Sequence, residues 1–215
     1  YLFLKKYMSN LNKIKNLINS VFNRKIKFEG NYENWEQALK NSKGYNDNVI
    51  INKTINSFEK VLASKALYER DSFLFYKEKF DENLIKNLKK IFDKKGRKIY
   101  LCDYGGSLGS LYFQHKKLFH NDFIEWNVLE QKAYVDYANN RVNISNLNFF
   151  SSFENILNQK KLDVILFSSV LQYLRSPYEI LSKIIDRKIP DIIITRTPFL
   201  QNAEKIMIQK VPKHI

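Results

Sequence analysis

The sequence predicts an α/β protein: a Rossmann-like, mostly parallel sheet over residues 98–215, preceded by a helical region over residues 1–97 that serves as a cap on the substrate side. Three observations carry this. Residues 99–109, IYLCDYGGSLG, run from an apolar strand through Asp103 into a glycine turn that opens a helix. From Lys98 onward, strand-like and helix-like segments alternate, which requires parallel strands with right-handed crossovers. Segments such as DVILFSS and DIIITRT are apolar almost throughout, as strands buried on both faces are.

Taken in order, residues 2–22 place Leu4, Met8, Leu11, Ile14, Leu17, Ile18, Val21 and Phe22 at helical spacing beside a Lys- and Asn-rich face. Such a helix packs on its own domain, joins two copies as a homodimer, or lies on a membrane surface. A short helix is expected from about Asn34 to Ser42, stopped by Gly44, and another over 49–67. The stretch ALYERDSFLFY sets Glu69, Arg70 and Asp71 among aromatic residues. Residues 81–93 form an amphipathic helix with acids in its first turn. Strands follow at 99–103, 125–130, 147–150, 163–168 and 191–196. Helices lie between them near 108–119, 132–140, 152–159 and 176–186.

Composition narrows the partners. The chain of 215 residues carries a net charge of +14. That charge fits a nucleic-acid or membrane surface, or simply a lysine-rich proteome. The lysines are scattered among acids, as in YKEKFDENLIKNLKK, and form no long block, so nucleic acid is the less favoured partner without being excluded. A single cysteine, Cys102, rules out an internal disulfide. His115, His120 and His214 lack metal-ligand spacing, so no metal is expected. The longest apolar run, VILFSSVLQYL, is too short to span a membrane, and no secretory signal is evident. A soluble cytoplasmic protein is expected. The chain opens on Tyr rather than Met, as a trimmed start would.

In an open parallel sheet, ligands bind beyond the carboxyl ends of the strands. The first strand ends in Asp103, Gly105, Gly106, Ser107 and Gly109, a turn suited to close backbone approach by a ligand. The second ends in Glu130 and Gln131. A carboxylate there can accept both hydroxyls of a ribose, or simply open a helix. The fourth ends in Ser168, Ser169, Gln172 and Tyr173, and the fifth in Thr195-Arg196-Thr197-Pro198-Phe199. These polar lips share one edge.

The order DYGGSLG, VLEQ, LDVILFSSVLQYLRSP, IIITRTPF resembles class I S-adenosylmethionine-dependent methyltransferases. Asp103, Gly105 and Gly109 match the family's first motif, with Ser107 at its middle glycine; Glu130 matches the acid after the second strand. VLQYLRSP is similar to the family's fourth-strand motif, with Gln172 and Tyr173 in place of histidines. More narrowly, the chain resembles a little-characterised bacterial methyltransferase family. The shared pattern includes F-x-G-x-Y-x-x-W (Phe28, Gly30, Tyr32, Trp35), YERDS (Tyr68 to Ser72), GGSLGS-x-YFQ (Gly105 to Gln114), VLEQ, SSVLQYL, RTPF and Q-K-V-P (Gln209 to Pro212).

The resemblance implies S-adenosylmethionine as cofactor, held by Asp103, Gly105, Gly106, Ser107, Gly109, Glu130, Gln131 and Ser168. It implies a small-molecule or sugar-like acceptor, in surface-polysaccharide pathways, and further strands beyond Ile215. Glu69, Asp71 and Tyr173 are candidate general bases, and Arg70 a partner for the cofactor carboxylate. Tyr68 to Ser72 is expected to fold over the glycine turn, with Arg70 or Asp71 in reach of that turn or of the Ser168–Gln172 lip. The alternative is a structural Glu69–Arg70–Asp71 ion network. Two other functions stay open. A nucleic-acid methyltransferase would carry an N/D-P-P-Y/F motif where SSVLQ stands, and a non-catalytic scaffold would tolerate Ser107.

Overall fold

The structure, a computed structural model, describes residues 27–42, 48–120, 122–201 and 204–210. The expected 2–22 helix, the Gly44 stop and Val211-Pro212 lie outside these residues. In chain order the elements are β1 (Lys27–Tyr32), α1 (Trp35–Lys40), α2 (Asn48–Leu62), β2 (Tyr68–Arg70), β3 (Phe73–Phe75), α3 (Glu82–Lys95), β4 (Ile99–Tyr104) and α4 (Ser110–His115). Then come β5 (Ile124–Leu129), α5 (Lys132–Arg141), β6 (Leu147–Phe150), α6 (Phe153–Gln159), β7 (Val164–Ser168), α7 (Pro177–Asp186), β8 (Asp191–Thr195) and β9 (Ile206–Lys210).

The chain divides into two compact units, one within Tyr1–Gly44 and Leu200–Ile215, the other Tyr45–Phe199. In the first, β1 and β9 pair antiparallel, with an irregularity between Glu29 and Tyr32. Neither strand is expected from the sequence: β1 is largely polar and exposed, and the apolar part of β9 is only the short run Ile206–Ile208. α1 is capped by Asn34, whose side chain accepts the Gln37 N–H.

The larger unit is built on a five-stranded sheet in the order β6-β5-β4-β7-β8, every neighbouring pair parallel. This is the Rossmann-like arrangement: the chain leaves β4 outward to β5 and β6, then returns to the other side of β4 for β7 and β8. The reversal puts a crevice between the carboxyl ends of β4 and β7. Adjacent residues alternate between two apolar clusters, as both-face burial requires. Leu101, Val164 and Leu166 enter one, and Cys102, Ile165 and Phe167 the other.

Helices α2, α3, α4 and α5 supply the first cluster through Phe58, Leu88, Phe113 and Val135, and α6 and α7 the second through Ile156 and Ile184. Residues 48–95 thus pack on a face of the sheet as part of its core. Two features anchor them. Asp81 caps α3 by accepting the Leu84 N–H at 3.1 Å, and Gly96 closes that helix at φ 62. His115 is fully buried and joins α4 to that cap: its Nδ1 lies 2.8 Å from the Leu111 carbonyl and its Nε2 accepts the Asp81 N–H at 2.9 Å. Burial holds the imidazole below its ordinary pKa, so it is neutral.

At the amino end of the sheet Asp163, 1% exposed, accepts both Nη atoms of Arg97 at 2.9 Å, Lys95 Nζ at 3.1 Å and the Tyr100 N–H at 3.0 Å. Burial raises its pKa, but the bonds from Arg97, Tyr100 and Lys95 lower it further, leaving it below the ordinary carboxylate value. This clamp sets the β4–β7 register at the edge opposite the glycine turn.

Two expected helices end early. That from 49 stops at Leu62, where the chain turns through Ser64 at φ 57. That from 108 starts only at Ser110, because Gly109 takes φ 82, and passes into a 3-10 turn at Lys116.

Candidate active site

The turn after β4 is built by contacts that leave no room for a side chain at Gly105 or Gly106. Gly105 has φ 70, and a Cβ there would lie 2.5 Å from Val170 Cγ2. Val170 follows β7, so this contact spans the crevice between the two strands. At Gly106 a Cβ would lie 2.5 Å from Asp103 Oδ2. Asp103 is therefore a support behind the turn. It is 1% exposed and accepts Trp126 Nε1–H at 3.0 Å. Burial pushes its pKa up to about 7, against the Trp126 bond, with the Glu130 charge adding to the rise. Its carboxylate is enclosed beneath the turn. Ser107, in place of a glycine, adopts φ 54.

Glu130 lies against this turn. Its Oε2 accepts the Ser107 N–H at 3.0 Å and its Oε1 the Gln131 N–H at 2.8 Å. Burial raises its pKa, opposed by these two bonds. The parallel pairing Tyr104–Leu129 brings the carboxylate and the turn together. Gln131 is exposed and opens α5 with its backbone.

On the other side of the crevice, Ser168 is buried and accepts Thr195 Oγ1–H at 2.8 Å and Arg196 Nε–H at 3.0 Å. Ser169 takes φ 60 and receives Gln172 Nε2–H at 3.1 Å, while Gln172 Oε1 is buried without a partner among the described residues. Tyr173 is half-buried in the Leu171–Tyr173 turn. Arg196 takes φ 52. Ser107, Ser169 and Arg196, one beyond each of β4, β7 and β8, thus hold left-handed backbone, which costs about 1–2 kcal/mol per non-glycine residue. Strain of this kind gathers at functional edges.

Tyr68 to Ser72 forms a hairpin, β2–β3, whose turn residues Asp71 and Ser72 both take positive φ, 51 and 67. That is the type I′ geometry matching strand twist. The hairpin packs on α4. Glu69 Oε1 accepts Ser110 Oγ–H at 2.5 Å and Oε2 accepts the Ser72 N–H at 3.1 Å. Glu69 is 1% exposed, and burial pushes its pKa up to about 7. Both oxygens of Glu69 are occupied and enclosed, and they tie the hairpin to the helix.

Arg70 donates Nη2–H to Gln114 Oε1 at 2.5 Å and lies over the rings of Tyr68 and Phe75, 6.0 and 5.7 Å from their centroids. Among the described residues no ion pair joins Glu69, Arg70 and Asp71, so the structural ion network is absent as such. No hydrogen bond carries Arg70 or Asp71 to the 105–109 turn or the Ser168–Gln172 lip. The hairpin instead meets the helix that the turn opens, and the charges of Arg70 and Asp71 both reach Arg196. Asp71 is exposed.

Four participants carry no assigned role in the sequence reading: Val170, Ser110, Gln114 and Arg196. Their roles depend on contacts between segments about 28–65 positions apart, which no local pattern reports. Among the described residues no three His, Cys, Asp or Glu side chains group as a metal site requires, and no helix is long and apolar enough to cross a membrane.

No family model and no curated protein matches the chain. Among solved structures it is similar to the N-terminal domain of EvdMO1 with SAH bound, at 12% identity over 71% of this chain and 66% of that one, with a TM-score of 0.38. It is also similar to the plantazolicin methyltransferase BamL in complex with a triazolic desmethylPZN analog and SAH, at 15% identity over 65% of this chain and 55% of that one, TM-score 0.36. A SAM dependent methyltransferase from Aquifex aeolicus matches at 19% identity over 59% of this chain and 79% of that one, TM-score 0.36. The chain thus spans just under two thirds of the EvdMO1 domain and about half of BamL. All three likenesses are distant.

Proposed function

We propose that this chain is a class I methyltransferase, binding S-adenosylmethionine across the carboxyl ends of β4 and β5 and methylating a small-molecule acceptor, sugar-like compounds included. One observation carries the reading: a carboxylate, Glu130, accepts a backbone N–H of a glycine-rich turn at the switch point of a parallel sheet. That pairing fits a nucleoside, with Glu130 accepting ribose hydroxyls and Gly105, Gly106, Ser107 and Gly109 offering backbone at close approach. The cofactor supplies a methyl already activated on a sulfonium.

The protein's task is then alignment and exclusion of water, and oriented binding of this kind lowers a barrier by several kcal/mol. Asp103 and Glu69 position the turn and the hairpin. In this reading Arg70 binds the cofactor's carboxylate, and Ser168 and Gln131 border the site. Asp71 and Tyr173 are the groups placed to accept a proton from a hydroxyl acceptor. The test is calorimetric titration with S-adenosylhomocysteine. Binding is expected, and Glu130→Ala should weaken it by about 1–3 kcal/mol through the lost charged hydrogen bonds. Unchanged affinity in a folded Glu130→Ala protein overturns the assignment.

A further inference from the structure

Three arginines of the larger unit hold carboxylates: Arg97 with Asp163 at 2.9 Å, Arg141 with Glu59 at 3.0 Å and Arg187 with Glu154 at 3.1 Å. Arg70 and Arg196, both at the carboxyl edge, hold only neutral oxygens. Arg70 bonds to Gln114 and Arg196 to Ser168. The charges of Asp71, Asp81 and Asp103 act on Arg196 at longer range, yet among the described residues none forms an ion pair with it. Burial and then the like charge of Arg70 depress its pKa against these acids.

The geometry of Arg196 is that of a prepared fork. Its Nε is anchored on the buried Ser168 Oγ, itself fixed by Thr195 at 2.8 Å. Its two Nη groups make no hydrogen bond among the described residues, and the residue, though partly screened around the guanidinium, keeps enough exposed surface to be reachable. A guanidinium fixed at Nε presents its remaining N–H groups in one plane, the arrangement that grips a carboxylate or phosphate. The left-handed backbone of Arg196, φ 52, is held by the Ser169 N–H to Thr195 carbonyl bond at 3.0 Å next to it.

Resting on the methyltransferase reading, we propose that Arg196 recognises an oxyanion of the acceptor, so that the acceptor is a small molecule bearing a carboxylate or a phosphate. Two guanidinium groups without a carboxylate partner call for two anions, and the cofactor brings only one carboxylate. Arg70, on the hairpin, takes that one; Arg196, beyond β8, takes the acceptor's. An anion between them also relieves their mutual repulsion.

The test uses inorganic phosphate and acetate as separate probes, titrated against chloride at constant ionic strength and followed by thermal shift and calorimetry, with and without saturating S-adenosylhomocysteine. At least one probe should bind in the presence of S-adenosylhomocysteine, and the stronger one identifies the acceptor's group. Arg196→Gln should weaken that probe by about tenfold or more, as loss of a charge-assisted pair does, and leave S-adenosylhomocysteine affinity unchanged. Arg196→Lys, which keeps the charge but loses the planar fork, should fall between. The proposal is overturned if neither probe binds beyond chloride, if Arg196→Gln binds it as the unaltered chain does, or if probe and S-adenosylhomocysteine compete. Failure of the unaltered chain to bind S-adenosylhomocysteine would refute the cofactor reading alone, since the probe arm without it still reports on Arg196.

Discussion

Replacing Gly105 by Ala tests whether the turn is shaped by the crevice it lines. The new Cβ would lie 2.5 Å from Val170 Cγ2 and 3.1 Å from Val170 Cβ, at φ 70. Left-handed backbone costs alanine about 1–2 kcal/mol, and forcing a methyl into occupied space about 1–3 kcal/mol. The sum, roughly 2–5 kcal/mol, is below the usual total stability of about 5–15 kcal/mol, so the domain should still fold. Val170→Ala removes the methyls that obstruct the Cβ and, at a half-buried position, costs about 1 kcal/mol by itself. In the double variant the steric part should be largely recovered while the backbone part stays, giving a favourable coupling of about 1 kcal/mol or more. Urea midpoints of the four proteins measure this coupling. S-adenosylhomocysteine titration should show weakened binding in Gly105→Ala, since Val170 or the turn must move. An unchanged midpoint in Gly105→Ala, or strict additivity with Val170→Ala, would refute the argument.

Other expectations concern charge. Asp163→Asn loses the bidentate grip on Arg97 and the Lys95 contact, and should destabilise by about 2–3 kcal/mol in denaturant melts while leaving S-adenosylhomocysteine affinity intact, because the clamp is at the opposite edge. Glu69 and Asp103 have folded pKa values of about 7, above the ordinary 4.5 and 3.8. The folded state therefore binds more protons, and their contribution is complete below those ordinary values and lost as pH rises through about 7. Glu69→Gln should flatten this alkaline-side loss in a melting-temperature profile, and an unaltered slope would count against the burial argument. His115 works in the other direction: its folded pKa lies below 6.5, so its contribution is present above that value and fades as pH falls below it. His115→Gln should remove that part of the acid-side loss.

The parallel sheet and the polar carboxyl edge that forms the candidate site were legible in the sequence because both depend on short-range pattern. β6 runs from Leu147 to Phe150 as read, and β4, β5, β7 and β8 end within one residue of the expected positions. Unbroken apolar runs have no stable alternative to burial on both faces. Asp103, Gly105 and Glu130 were placed by spacing, since a strand, turn and helix of fixed length deliver the next strand's end beside the first turn. Strands β1 and β9 were not legible, because β1 is polar, β9 has only three apolar residues, and their pairing is a property of two segments far apart in the chain. Neither was the division of labour at the edge. Sequence could name Glu69, Arg70 and Asp71 as charges among aromatics, but not which would be enclosed. The type I′ turn at Asp71-Ser72 and the packing of the hairpin on α4 decide that: they turn Glu69 inward to Ser110, lay Arg70 across Gln114 and leave Asp71 exposed. Likewise Arg196 is one more lip residue until the β7–β8 pairing brings Ser168 under its Nε and leaves the rest of its guanidinium without a hydrogen-bond partner among the described residues. Local periodicity determines which segments are strands and helices; exclusion of water and the meeting of distant side chains decide which polar groups remain free to act.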